Sequence, residues 1–172
     1  MQSSRVIAID PSLRNWGMAL FDSGKLVDLI LVETKNRRKM PKSWSDLYAA
    51  REIYEAFSEV CFRFSPDYVV AEIPYGAQSS RGAIAMGVAI GVISTYPEYS
   101  ELVKVTPREV KLALTGNANA TKQEMIDAAY GLYPEGPWRK HKLKGEMVLT
   151  QGSNQHMADA VGAYIAGLNY DS

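Results

Sequence analysis

Between Arg5 and Thr34 the chain carries three apolar runs separated by turn signals, and this arrangement restricts the fold more than any other feature. RVIAI (5–9) stops at Asp10-Pro11, MALFD (18–22) stops at Ser23-Gly24, and KLVDLILVET (25–34) follows at once. Runs of this length, rich in β-branched residues and joined by tight turns, predict three successive antiparallel strands. From Ser45 the apolar positions Leu47, Ala50, Ile53, Tyr54, Phe57, Val60 and Cys61 recur with the helical period, and Ser45 is the expected N-cap. Pro66-Asp67 ends that helix. YVVAEI (68–73) has no polar alternation before Glu72 and predicts a buried central strand. Residues 79–95 predict a helix of small residues, in which Gly82, Gly87 and Gly91 imply close packing against another helix or a partner subunit.

LVKVT (102–106) predicts a strand, and Thr106-Pro107 starts a helix with Pro in its first turn. Thr121 and Glu124 have the spacing of a capping box, opening a helix that runs to Leu132. Residues 134–154, with their prolines and glycines, predict an irregular insertion, and a last helix runs from Asn154 to Leu168. A meander followed by α/β units predicts an α/β fold: a mixed β-sheet with its first three strands antiparallel and helices on both faces. A length of 172 residues suits a single domain, 1–172.

Composition excludes several classes. A hydrophobic share of 47% supports a core, and one cysteine, Cys61, excludes an internal disulfide framework. In EVCFRF that cysteine reads as a buried hydrophobe, with a reactive thiol as the alternative. No apolar run reaches 18 residues and the N-terminus lacks a secretory pattern, so a cytoplasmic protein with no membrane partner is expected. The 19 basic and 19 acidic residues cancel, which by itself argues against nucleic-acid binding. Their distribution argues otherwise: KNRRKMPK (35–42) and WRKHKLK (138–144) are two concentrated basic stretches, although a solvated loop explains either equally well.

The acidic residues carry the chemistry. Asp10 ends an apolar strand, and Glu72 interrupts another. A carboxylate beside a core calls for a cation, a basic partner or a raised pKa. For Asp10 alone an Asx-turn before Pro11 is an equal reading, and for Glu72 alone a salt bridge at a strand end. His156 and Asp159 lie three apart on the last helix and so share a face. Three carboxylates and one imidazole could hold two divalent ions, which in phosphodiester hydrolysis activate water and stabilise the leaving oxygen. Oxygen-rich sites favour Mg²⁺ or Mn²⁺, and one imidazole moves the preference toward Mn²⁺.

Four segments, IAIDPSLRNWGMAL, PDYVVAEIPYGAQSSRGAIAMGVAIGVI, TPREVKLALTGNANATKQEM and HMADAVGAYIAG, resemble in order four blocks of the RuvC-type Holliday-junction resolvases. The resemblance covers most of residues 6–167 and implies an RNase H-like fold. It implies Mg²⁺- or Mn²⁺-dependent cleavage of DNA near a four-way junction, leaving a 5′-phosphate and a 3′-hydroxyl. It also implies a homodimer. The metal-binding and catalytic set carries over to Asp10, Glu72, His156 and Asp159. Lys111 and Lys122 match the family's phosphate-contacting lysines. Tyr75 matches an aromatic that stacks on an unpaired base near the junction, with a loop anchor as the alternative. Arg139, Lys140 and Lys142 in the second basic run are further candidates for DNA contacts.

Ser12 stands where the family commonly has Gly after Asp-Pro, and the insertion 134–154 is longer than in cellular members. Both departures suit a viral or prophage member, acting in a host cytoplasm and also cutting three-way junctions or flaps. Two rivals remain at this stage. One is a branched-DNA scaffold with an inactive nuclease-like site. The other is an actin-like nucleotide-binding protein, disfavoured by the lack of a second Gly-rich phosphate loop.

Overall fold

The computed structural model describes residues 1, 3–35, 37–76 and 79–171, the last without its side chain. Strands β1 (Arg5–Asp10), β2 (Asn15–Asp22) and β3 (Lys25–Glu33) form the expected meander. Ser23 and Gly24 both take positive φ, 50° and 79°, the turn whose twist matches the flanking strands. β1 also pairs in parallel with β4 (Tyr68–Glu72), and β4 in parallel with β5 (Glu101–Val105). The resulting five-stranded sheet has the order β3-β2-β1-β4-β5. β1 and β4 are thus interior strands buried on both faces, which explains their continuous apolar character.

Strand alternation divides the core in two. Ile7, Ile9, Met18 and Leu20 point toward α1 (Lys42–Phe64) and α2 (Ser80–Ile93). Val6, Ala8, Ala19 and Phe21 point toward α3 (Pro107–Thr115), α4 (Lys122–Leu132) and α5 (Gln151–Leu168). On that second face the Phe21 and Tyr164 rings stack with centroids 3.6 Å apart. α3 and α4 each begin with a complete capping box, Thr106 with Glu109 and Thr121 with Glu124. The mixed sheet with helices on both faces is therefore as the sequence predicts. Cys61 is buried, and burial pushes its thiol up to about 12, so the packing reading holds over the reactive one.

Three local expectations are corrected. α1 starts at Lys42, with Pro41 as a cap that offers no side-chain hydrogen bond. Ser45 lies inside the helix, buried, where its hydroxyl receives Arg14 at 3.3 Å. The insertion is not wholly irregular: β6 (Lys140–Leu143) and β7 (Glu146–Leu149) form a hairpin. Its turn uses Lys144 and Gly145 at φ of 49° and 96°. The hairpin was hidden because β6 is exposed throughout and shows no apolar alternation. Gly87 and Gly91 of α2 do not mark tight packing within this chain. A Cβ at Gly87 or Gly91 would meet nothing within 4 Å.

Candidate active site at the carboxyl edge of the sheet

β1 and β4 run in parallel, so Asp10 and Glu72 at their carboxyl ends emerge at the same edge of the sheet. α5 brings the other two candidates there. Its first turns cross β2 at Gly17, the residue paired with Asp10, where a Cβ would stand 2.3 Å from the His156 carbonyl oxygen. Only a residue without a side chain permits that approach. His156 Nδ1 then lies 2.6 Å from Asp10 Oδ2, with both side chains largely buried. Three residues on, Asp159 faces the same cluster.

The electrostatics are those of carboxylates crowded away from water. Burial pushes the Glu72 carboxyl up to about 9, and the neighbouring charges of Asp10 and Asp159 add to it while Lys111 opposes. Burial, then Asp10, pushes Asp159 up to about 7, against His156, Lys111 and Lys122. The hydrogen bond to Asp10 raises His156 above the usual imidazole value, against its own burial. Among the described residues neither the Glu72 nor the Asp159 carboxylate has a hydrogen-bond or ion-pair partner. The bland readings of the two strand-end acids therefore do not hold: Asp10 faces His156 rather than closing an Asx-turn, and Glu72 makes no salt bridge.

Such a donor set fits a divalent cation chemically, because a cation would offset both the burial and the mutual repulsion that raise the two carboxyls. Among the described residues, however, no three His, Cys, Asp or Glu side chains already converge as a ligand group. One Asp10 oxygen, Oδ2, is engaged by His156 Nδ1.

The remaining candidates divide. Lys111 on α3 and Lys122 at the start of α4 lie within electrostatic reach of the carboxylates. Tyr75, three residues past Glu72, is 89% exposed, which is incompatible with a loop anchor. Its only described ring contact is Lys104, whose Nζ stands 5.0 Å from the centroid. Arg139 is engaged by Glu33 at 2.8 Å, and Lys140 lies 5.1 Å from the Tyr130 ring centroid. Lys142 is exposed on the hairpin. These three belong to the hairpin side, and among the described residues none of them bonds to a member of the carboxylate cluster.

Sequence reasoning missed Gly17, Asn154 and Asp46. Asn154, fully buried, accepts from the Arg139 backbone N–H at 3.0 Å and donates to its carbonyl at 2.8 Å, tying the hairpin root to α5. Asp46, also buried, receives Arg14 at 2.7 Å and both Arg81 nitrogens, joining the segment after Asp10 to α1 and α2. A glycine facing Asp10 across a hairpin was the one signal available. The other two residues have none.

Residues 6–129 match the family described as crossover junction endodeoxyribonuclease RuvC. That span contains Asp10, Glu72, Tyr75, Lys111 and Lys122 and ends before His156 and Asp159. A RuvC of Bifidobacterium longum is 30% identical over 120 residues, covering 68% of this chain but 61% of the relative. The RuvC of Caldicellulosiruptor saccharolyticus is 29% identical over 138 residues, covering 74% of this chain and 80% of the relative. Thermus thermophilus RuvC, solved in complex with a Holliday junction substrate, superposes with a TM-score of 0.68 at 20% identity over 98% of this chain and 94% of that one. At that identity the superposition speaks for the fold.

Proposed function

The chain belongs to the RuvC family of crossover junction endodeoxyribonucleases, and from that premise we propose that it is a metal-dependent endonuclease acting on branched DNA, four-way junctions first. The observation that carries this reading is that Asp10, Glu72, His156 and Asp159 are gathered at one sheet edge, where burial, reinforced by the charges of Asp10 and Asp159, pushes Glu72 up to about 9. Such a cluster is costly without a cation and useful with one. Asp10, Glu72, Asp159 and His156 would hold Mg²⁺ or Mn²⁺, two ions per site in the fullest form. Bound there, such ions supply Lewis-acid stabilisation of the charge that develops on phosphate oxygens.

The chain's own groups do the rest. Lys111 and Lys122 hold the phosphates on either side of the scissile bond without reading sequence. Tyr75, free of the core, stacks on a base that the junction leaves unpaired, worth about 1–3 kcal/mol. Cleavage leaves a 5′-phosphate and a 3′-hydroxyl. Two copies cut symmetrically, paired through the outward face of α2, where Ile84 and Ile90 are exposed and Gly87 and Gly91 leave open space. No helix among the described residues is long and apolar enough to cross a membrane, in keeping with a site of action on DNA in the cytoplasm.

The engaged Asp10–His156 pair favours one alternative, a branched-DNA-binding protein whose nuclease-like site is silent. A single experiment separates them. Labelled four-way, three-way, flap and linear duplexes are incubated with the wild type and with Asp10→Asn in Mg²⁺, Mn²⁺ or EDTA. Cutting of junctions by the wild type with either metal, and binding without cutting by the variant, is the expected result. Binding without cutting by the wild type in both metals supports the scaffold, and normal cutting by Asp10→Asn removes the assignment of the site.

A further inference from the structure

The basic run 35–42 takes no part in the site described above, yet two of its members, Lys35 and Arg37, are held by the fold. The backbone N–H of Thr34 donates to the Arg14 carbonyl at 3.1 Å, and the Thr34 hydroxyl donates to the Leu13 carbonyl at 2.9 Å. Lys35 N–H donates to Glu52 at 3.1 Å, and Arg37 pairs with the same carboxylate at 2.6 Å. The Arg37 guanidinium also lies over the Tyr48 ring, 4.7 Å from its centroid, while its Nη1 is shielded from solvent with no hydrogen-bond partner among the described residues. Arg38, Lys39 and Lys42 are exposed and have no acidic partner within ion-pair distance among the described residues.

Charge then accumulates on this side. Arg14 and Arg81 share the single carboxylate Asp46, one turn along α1 from Lys42. Six basic groups (Arg14, Arg37, Arg38, Lys39, Lys42, Arg81) meet two carboxylates, Asp46 and Glu52, on a chain whose net charge is zero. The position matters as much as the sign. β3 ends and β1 ends at the same edge, since Glu33 pairs with Asn15 and Gly17 with Asp10. A cleft of about 190 Å³ is lined by Leu13, by Glu72 and by Gly82, the residue next to Arg81. Lys111 and Lys122 lie on the opposite face of the sheet, on α3 and α4.

We propose that Arg37, Arg38, Lys39 and Lys42, backed by the Arg14–Asp46–Arg81 cluster, form a second phosphate-binding track that carries a DNA arm away from the carboxylate cluster along α1. The inference rests on the branched-DNA reading and adds to it the surface for a diverging arm. Arms leaving a branch point cannot all follow the α3–α4 face, and this is the basic surface on the other side of the same edge. Asp46 acts as a positioning residue that fixes two guanidiniums without neutralising both.

The test is junction binding in EDTA, where no cutting intervenes, measured across salt concentrations for the wild type and for Arg38→Gln/Lys39→Gln/Lys42→Gln. Neutralising three phosphate contacts reduces the slope of log affinity against log salt by about 2–3. Lys25→Gln, at the start of β3 beside the Ser23-Gly24 turn, should leave the slope unchanged. The three replaced side chains are exposed, so the variant's thermal melt should match the wild type. An unchanged slope in a folded triple variant overturns the proposal and leaves the nuclease reading standing. Loss of self-association in sedimentation with an unchanged slope also overturns it, assigning the surface to a second copy. A wild type that binds no branched DNA removes both.

Discussion

Replacing Glu72 by Gln tests the physical basis of the site most directly. Burial and the charges of Asp10 and Asp159 push the Glu72 carboxyl from 4.5 up to about 9. Without a cation, the folded protein therefore holds a proton there that the unfolded chain releases between those values. Wherever the native state binds more protons, stability falls as pH rises. The loss begins near 4.5, grows through neutrality, and levels off near 9. At about 1.4 kcal/mol per pH unit it reaches about 3 kcal/mol at pH 7. Glutamine keeps the shape and abolishes the titration, so in EDTA Glu72→Gln should be more stable than the wild type at pH 7 by on the order of 1–3 kcal/mol. Its stability should also vary less between pH 5 and 9. Asp159, pushed up to about 7 by burial, titrates in the lower part of that window and leaves the variant a residual slope. His156, raised by its bond to Asp10, stabilises the fold while protonated and loses that contribution as pH rises through its folded value, in the same direction. The assay is urea unfolding followed by tryptophan fluorescence at pH 5, 7 and 9, first in EDTA and then with Mg²⁺ or Mn²⁺. The cation should stabilise the wild type more than the variant. A wild type with flat stability across that range in EDTA, or a variant less stable than it at pH 7, would refute the reasoning.

Three other perturbations probe the scaffold around the cluster. Gly17→Ala places a Cβ 2.3 Å from the His156 carbonyl oxygen, so α5 must shift; we expect a loss of about 1–3 kcal/mol in urea unfolding and at least a tenfold drop in cleavage, with junction affinity kept. Phe21→Ala empties the stack on Tyr164 beneath α5 and should cost about 3–5 kcal/mol by the same measurement. Tyr75→Ala should leave stability within about 0.5 kcal/mol, because the ring is 89% exposed, while Tyr75→Phe retains the junction affinity that the alanine loses in a gel-shift titration.

The sequence by itself determined what depends on neighbours along the chain. The Ser23-Gly24 turn, the Thr121–Glu124 capping box, the Pro107 helix start and the unbroken apolar runs of β1 and β4 need only local chemistry, and each is found where the pattern predicts it. Asp10 and Glu72 were legible for the same reason, as acids at the ends of strands that otherwise reject charge. Local patterns failed where exposure removed the signal, as in the Lys140–Leu143 strand, and where packing overrode a cap, as at Ser45, which serves Arg14 instead. Tertiary structure alone decided how four acid and imidazole groups meet. His156 reaches Asp10 across 146 residues of chain because α5 can lie against a strand at a position without a Cβ. The same is true of the basic run, whose composition suited a solvated loop. Arg14 and Glu52, distant in sequence, hold the Lys35 backbone, because hydrogen bonds and ion pairs form between groups that folding brings within reach, whatever their order in the chain.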